Sequence, residues 1–119
     1  MTPLQMDIVA LPGSQGQLAT LVGRIDVFNY KDLSTRLQAN LDANGQSIIV
    51  DLTKVDAIAS SGWATFLAFS RMMRSKKCRL VIFGMREEME RVYKTMKLGE
   101  FVPSAEDQTH ALEIVMAPV

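Results

Sequence analysis

Apolar positions along this chain switch between strand-like and helix-like spacing several times. Two apolar stretches, Leu4–Leu11 and Leu18–Ile25, flank the turn-forming segment Pro12-Gly13-Ser14-Gln15-Gly16. That arrangement predicts an opening antiparallel hairpin. Tyr30, Leu33, Leu37 and Leu41 then recur at helical spacing, with Asn29 placed to cap the helix and Gly45 to end it. Ser47–Leu52 (SIIVDL) is a continuous apolar run typical of a buried parallel strand, and 53–59 reads as a loop. Ser60 and Ser61 precede a helix over Trp63–Arg74, and Cys78–Phe83 (CRLVIF) predicts a second buried strand closed by Gly84. Met85, Met89, Val92 and Met96 form one face of a third helix. Pro103, then Ser104 with Asp107 three residues on, mark the start of a final helix reaching about Met116.

The resulting order is β-β-α-β-α-β-α-α. Alternating strands and helices predict the α/β class, with a mostly parallel sheet, an antiparallel N-terminal edge strand and helices packed mainly on one face. No internal repeat or linker interrupts the chain, and 119 residues suit a single domain over 1–119. The helix at Trp63-Ala64-Thr65-Phe66-Leu67-Ala68-Phe69 is apolar almost all round. Such a helix is either deeply buried or covered on one side by a partner.

Composition narrows the function classes. At 48% hydrophobic and 22% charged residues, the chain can bury a core without disulfides or a structural metal. Thirteen basic residues balance thirteen acidic ones, so the broad positive field needed to bind nucleic acid non-specifically is missing. The local run Arg71, Arg74, Lys76, Lys77 and Arg79 reads as a solvated helix end whose cations sit well against the helix dipole. The single cysteine, Cys78, forms no internal disulfide and fits a reducing compartment. Met1–Ala10 lacks the pattern of a signal peptide, and no apolar segment is long enough to span a bilayer. The expectation is a cytoplasmic protein without direct membrane insertion.

Catalytic chemistry finds little support. A nucleophilic serine needs a base beside it, and the sole histidine, His110, belongs to the last helix. No Gly-x-Ser-x-Gly elbow surrounds Ser60 or Ser61, since Ala59 precedes the pair and Trp63 follows Gly62. One Cys and one His far apart suggest no metal site, and no phosphate-binding glycine loop is present, so neither enzyme nor cofactor is expected. Asp51, inside an apolar strand, needs a partner or solvent. The serine pair stands out: at a helix start, exposed N–H groups and the helix dipole favour a phosphate, which adds about −1.5 to −2 charges at pH 7.

These features carry a resemblance. Ile48–Gly62 (IIVDLTKVDAIASSG) resembles the signature of STAS domains, especially anti-sigma-factor antagonists. Upstream, Leu21-Val22-Gly23-Arg24-Ile25-Asp26 is similar to the family's Leu-x-Gly-x-x-Asp motif. Downstream, CRLVIFG, Leu98-Gly99-Glu100-Phe101 and the closing helix extend the likeness over nearly the whole chain. The resemblance implies a SpoIIAA-like STAS fold and a partner switch. In that switch the unphosphorylated antagonist binds an anti-sigma factor that is also a serine kinase of the histidine-kinase-like ATPase fold. The sigma factor is thereby freed to act in transcription. Phosphorylation of the first serine breaks the complex, and a PP2C-type serine phosphatase resets it. Carried over, Ser60 is the acceptor, Ser61 and Gly62 shape the helix start, and Asp26 helps form the docking surface; Asp56 and Trp63 complete the partner-binding set. Two departures stand beside the site. Ala59 replaces the usual acidic residue before the serines, and Trp63 replaces the usual leucine after the glycine. The alternative is a STAS scaffold that is not phosphorylated, a subunit of a lipid-transport ABC ATPase or of a signalling complex.

Overall fold

The computed structural model describes residues 4–117. The predicted hairpin forms from β1 (Gln5–Ala10) and β2 (Gln17–Ile25), paired antiparallel from Gln5 opposite Val22 to Ala10 opposite Gln17. Helix α1 (Tyr30–Asn44) buries Leu33, Leu37 and Leu41, three of the four residues spaced for it. It ends where Gly45 enters the left-handed region (φ 60°) and donates its N–H to Leu41 O at 2.8 Å. Next come β3 (Ile48–Ile58), α2 (Ser60–Ser75), β4 (Leu80–Phe83), α3 (Glu87–Thr95), the two-residue β5 (Ser104–Ala105) and α4 (Gln108–Met116).

The five strands form one sheet in the order β1-β2-β3-β4-β5, antiparallel at the first pair and parallel thereafter. Alternation along the strands sorts side chains into two layers. Ile48, Val50, Leu52, Leu80 and Ile82 face the larger core, with Leu33, Leu37, Trp63, Phe66 and Met89 of α1, α2 and α3. Ile49, Val81 and Phe83 face the opposite side, where Ala111, Leu112 and Val115 of α4 cover them. Three helices therefore share one face, and the fourth closes the other.

Four local readings change. First, β3 runs on to Ile58, through the segment that reads as a loop, and pairs with β2 as far as Ile25 opposite Ile58. Twice along this pairing β3 advances one residue more than β2, three against two and then two against one, so its alternation slips and the strand pattern is masked. Val55 still reaches the core, whereas Thr53, Lys54 and Asp56 are exposed. Asp51 finds its partner here, accepting from Thr53 N–H at 2.9 Å and Thr53 Oγ1–H at 2.7 Å.

Second, the last helix starts later than the Ser104/Asp107 pattern predicts. Ser104 and Ala105 pair with β4, and Asp107 is itself the N-cap, accepting from His110 N–H at 2.8 Å. Third, α3 buries Met89 and Tyr93, while Val92 and Met96 are exposed. Tyr93 displaces the expected methionine face because its ring meets Trp63 and its hydroxyl donates to Val102 O. Burial pushes the Tyr93 phenol pKa up, against a smaller lowering by a hydrogen bond with Ser104. Fourth, Cys78 lies half-buried ahead of β4 rather than inside it.

Among the described residues, no helix is long and apolar enough to cross a membrane.

Candidate functional site

The serine pair stands where the end of β2, the end of β3 and the start of α2 converge. Ala59 N–H donates to Ile25 O at 2.8 Å, tying the entry of α2 to the last residue of β2. Ala59 holds the N-cap position and offers no side-chain acceptor; Ser60 is the first helical residue. Ser60 is thus not itself the cap. A side chain at that first position points out of the first turn, whose leading N–H groups have no intrahelical acceptor.

The two serines are not equivalent. Ser60 is exposed and its hydroxyl has no hydrogen-bond partner among the described residues. Ser61 Oγ is buried and likewise unpartnered, while the Ser61 carbonyl accepts from Thr65 Oγ1–H at 2.9 Å. Of the two, only Ser60 presents its hydroxyl to solvent.

Gly62 is there for close approach. A Cβ on it would lie 2.6 Å from Ile25 Cγ2 and 2.8 Å from Ile58 Cγ2. Neither isoleucine can retreat easily, since both pack into the larger core. Gly62→Ala is expected to cost about 1–3 kcal/mol by overpacking. Urea melts would show this as a lower midpoint at unchanged slope; an unchanged midpoint would mean that α2 starts further from the sheet.

Trp63 corrects the sequence reading. It is only 2% exposed, with its ring edge-on to Phe66 at 6.2 Å and tilted against Tyr93 at 6.0 Å. Its side chain is core, so it drops out of the docking surface; Gly62 is buried with it. The apolar circumference of α2 is explained largely by this burial. Gly62, Trp63, Thr65, Phe66, Phe69, Ser70 and Met73 face inward, and of the apolar residues of α2 only the small Ala64 and Ala68 are exposed.

Asp26 begins the loop from β2 to α1 and organises it. Asp26 Oδ1 accepts from Phe28 N–H at 2.9 Å, and its other oxygen lies 3.5 Å from Arg24 Nε. Asn29 holds the N-cap position of α1 as expected, but its side chain makes no capping bond and staples the same loop: its Oδ1 accepts from Asp26 N–H at 2.9 Å and its Nδ2 donates to Arg24 O at 2.7 Å. These bonds hold Val27 and Phe28 out in solvent, 65% and 72% exposed. The pair escapes sequence reasoning because it belongs to neither periodic pattern; two large apolar residues between a strand end and a helix start are the signal that was available.

Two shallow depressions flank this loop. Arg24, Asp26, Phe28, Lys54 and Asp56 line one, which brings the two predicted carboxylates onto one surface. Asp56 there forms a 3.1 Å ion pair with Arg86, exposed on both sides and so of little energetic weight. The other depression lies between α1 and α2, with Val27, Tyr30, Ser34, Ser61, Ala64 and Ala68 along it. The result is an apolar and charged surface near the start of α2, on which Asp26 and Asp56 are each matched by an arginine, Arg24 and Arg86, and Lys31 and Lys54 lie alongside.

A sequence model of the STAS domain matches residues 12–111. The chain belongs to the STAS domain family. The anti-sigma-B factor antagonist of Listeria monocytogenes is similar, 23% identical over 82 residues that cover 69% of this chain and 72% of that protein. An anti-sigma factor antagonist from Mycobacterium paratuberculosis has the same fold, with TM-score 0.84 and 16% identity over 96% of this chain and 95% of that one. The Bacillus cell fate determinant SpoIIAA in its phosphorylated form matches with TM-score 0.70 and 16% identity, over 93% of this chain and 99% of that one. This STAS domain therefore has the SpoIIAA-like fold expected of it, with its serine pair at the start of α2.

Proposed function

We propose that this STAS domain is an anti-sigma-factor antagonist switched at Ser60. Unmodified, it binds an anti-sigma factor with serine-kinase activity and a histidine-kinase-like ATPase fold; phosphorylated, it lets go, and a PP2C-type phosphatase resets it. The unequal burial of the two serines carries this reading: one hydroxyl is presented and its neighbour is hidden. A neutral, unbonded hydroxyl is cheap for a partner to cover. A phosphate there must be desolvated beneath the partner, a cost that the neutral hydroxyl does not carry. Val27 and Phe28 supply apolar anchors beside the switch, held in place by Asp26 and Asn29.

One observation favours the second reading, a scaffold whose binding ignores Ser60: Ala59 stands where the family's acidic residue usually lies. Labelling separates the two. Wild type, Ser60→Ala and Ser61→Ala are incubated with the anti-sigma kinase and radiolabelled ATP. Label is expected in wild type and Ser61→Ala and absent from Ser60→Ala. A wild type that binds the kinase yet takes no label would hand the assignment to the scaffold reading.

A further inference from the structure

Strand β1 is an edge of the sheet, with β2 on one side only. Its pairing with β2 runs without a bulge, Asp7 is its sole charged residue, and it holds no lysine or proline. Edges are usually blunted by such devices, because unpaired backbone groups invite another strand.

Alternation decides which groups of β1 are unpaired. Leu11 N–H donates to Gly16 O across the hairpin, whereas Gln17 N–H turns away from β1 and donates to Ser47 O. Gln5, Asp7 and Val9 therefore bond to β2, while Met6, Ile8 and Ala10 aim N–H and C=O out of the sheet. Arg36 of α1 donates to Met6 O. Among the described residues, nothing meets the outward groups of Ile8 and Ala10. The Ile8 side chain packs on the larger core. Val9 lies on the opposite face, 48% exposed, beside the half-buried Leu18 with which it pairs.

We propose that β1 pairs antiparallel with β1 of a second copy of this chain, joining the two sheets about a two-fold axis at Val9. In this register Ile8 faces Ala10 of the second copy and Ala10 faces its Ile8, each pair exchanging both backbone hydrogen bonds. Val9 meets Val9 of the second copy as a close pair without backbone bonds, an arrangement that suits β-branched side chains. Met6 then lies opposite Pro12 of the second copy, which has no N–H to offer, and Arg36 already supplies the donor that Met6 O would lack. Sliding the strands by two residues loses this match. An axis at Ile8 brings Ala10 N–H onto the carbonyl that Arg36 holds, and an axis at Ala10 sets Ile8 against Pro12. Asp7 falls opposite Leu11 of the second copy, so no like charges meet. The Ser60 surface stays free, since Leu18 beside the axis is roughly 20 Å from Ile25 along β2 at about 3.3 Å per residue.

A single strand pair buries less than the roughly 1,000 Å² of a stable interface, so association is expected at about 100 µM. Sedimentation equilibrium of the full chain, from about 5 to about 500 µM, should show the mean mass climbing from monomer toward dimer. Val9→Lys sets like charges face to face on the axis and should weaken association by more than about tenfold, at unchanged Tm because the side chain is exposed. In a Cys78→Ser background, Val9→Cys should oxidise to a linked dimer, because the close pair brings the Cα atoms to about 4.5 Å, within disulfide reach. Asp7→Cys in the same background should stay unlinked, its counterpart lying several residues away along the strand. A monomer at every concentration would overturn the proposal. So would a dimer that survives Val9→Lys, or equal linking through Asp7→Cys, since either places the contact elsewhere.

Discussion

Ser60→Asp is expected to weaken binding of the anti-sigma kinase by about a hundredfold or more while leaving the fold intact. Two arguments set opposite signs for the two readouts. In the free protein, a carboxylate in the first turn of α2 meets the positive end of the helix dipole and unpaired N–H groups, an effect of about 0.3–1 kcal/mol in favour of folding. Ser60 is exposed, so the added atoms displace nothing. In the complex, the same charge must be desolvated beneath the partner, on a surface where Asp26 and Asp56 lie among Arg24 and Lys54. Each factor of ten in affinity corresponds to about 1.4 kcal/mol, so a desolvation cost of about 3 kcal/mol suffices. Calorimetric titration against the kinase gives the affinity, and a thermal melt gives the stability. A variant that binds as wild type at equal Tm would make Ser60 a bystander. Because aspartate carries less charge than phosphate, the true phosphoprotein should bind more weakly still.

Trp63→Ala should produce the largest stability loss of any single change near the site, about 3–5 kcal/mol. The side chain is fully enclosed and touches both Phe66 and Tyr93, so its removal leaves a cavity between α2 and α3. For a chain of this size the midpoint would fall by roughly 10–20 °C. Trp63→Phe is the informative partner. It keeps an aromatic ring and also deletes Nε1, a buried donor without an acceptor among the described residues. Losing an unsatisfied donor offsets part of the lost packing, so this variant should cost only about 1–2 kcal/mol. Kinase binding by Trp63→Phe, measured well below its midpoint, should stay within about threefold of wild type. A normal melt together with lost binding would restore Trp63 to the interface and contradict its burial.

That contrast shows where sequence reasoning reaches its limit. Trp63 follows Ser60-Ser61-Gly62 directly, and proximity in sequence suggested proximity in function. Helical geometry separates the two: residue 60 is exposed in the first turn, whereas residue 63 faces the sheet. Phe28 shows the converse. Nothing periodic marks it, yet Asp26 and Asn29 hold its loop so that the ring stands in solvent.

By itself the sequence determined the α/β class, the hairpin edge, the ends of α1 and the position of the serine pair at the start of α2. Each is written in local spacing: alternating or continuous apolar runs, a glycine after a helical pattern, a serine pair after a strand. Tertiary structure alone decided that α4 covers the second face of the sheet, that β3 continues through a polar stretch to Ile58, and that Tyr93 rather than Val92 packs inward. It also decided which of the two serines is presented. These outcomes depend on which surfaces meet across the fold, and the spacing of residues along a single segment carries no record of what packs against it.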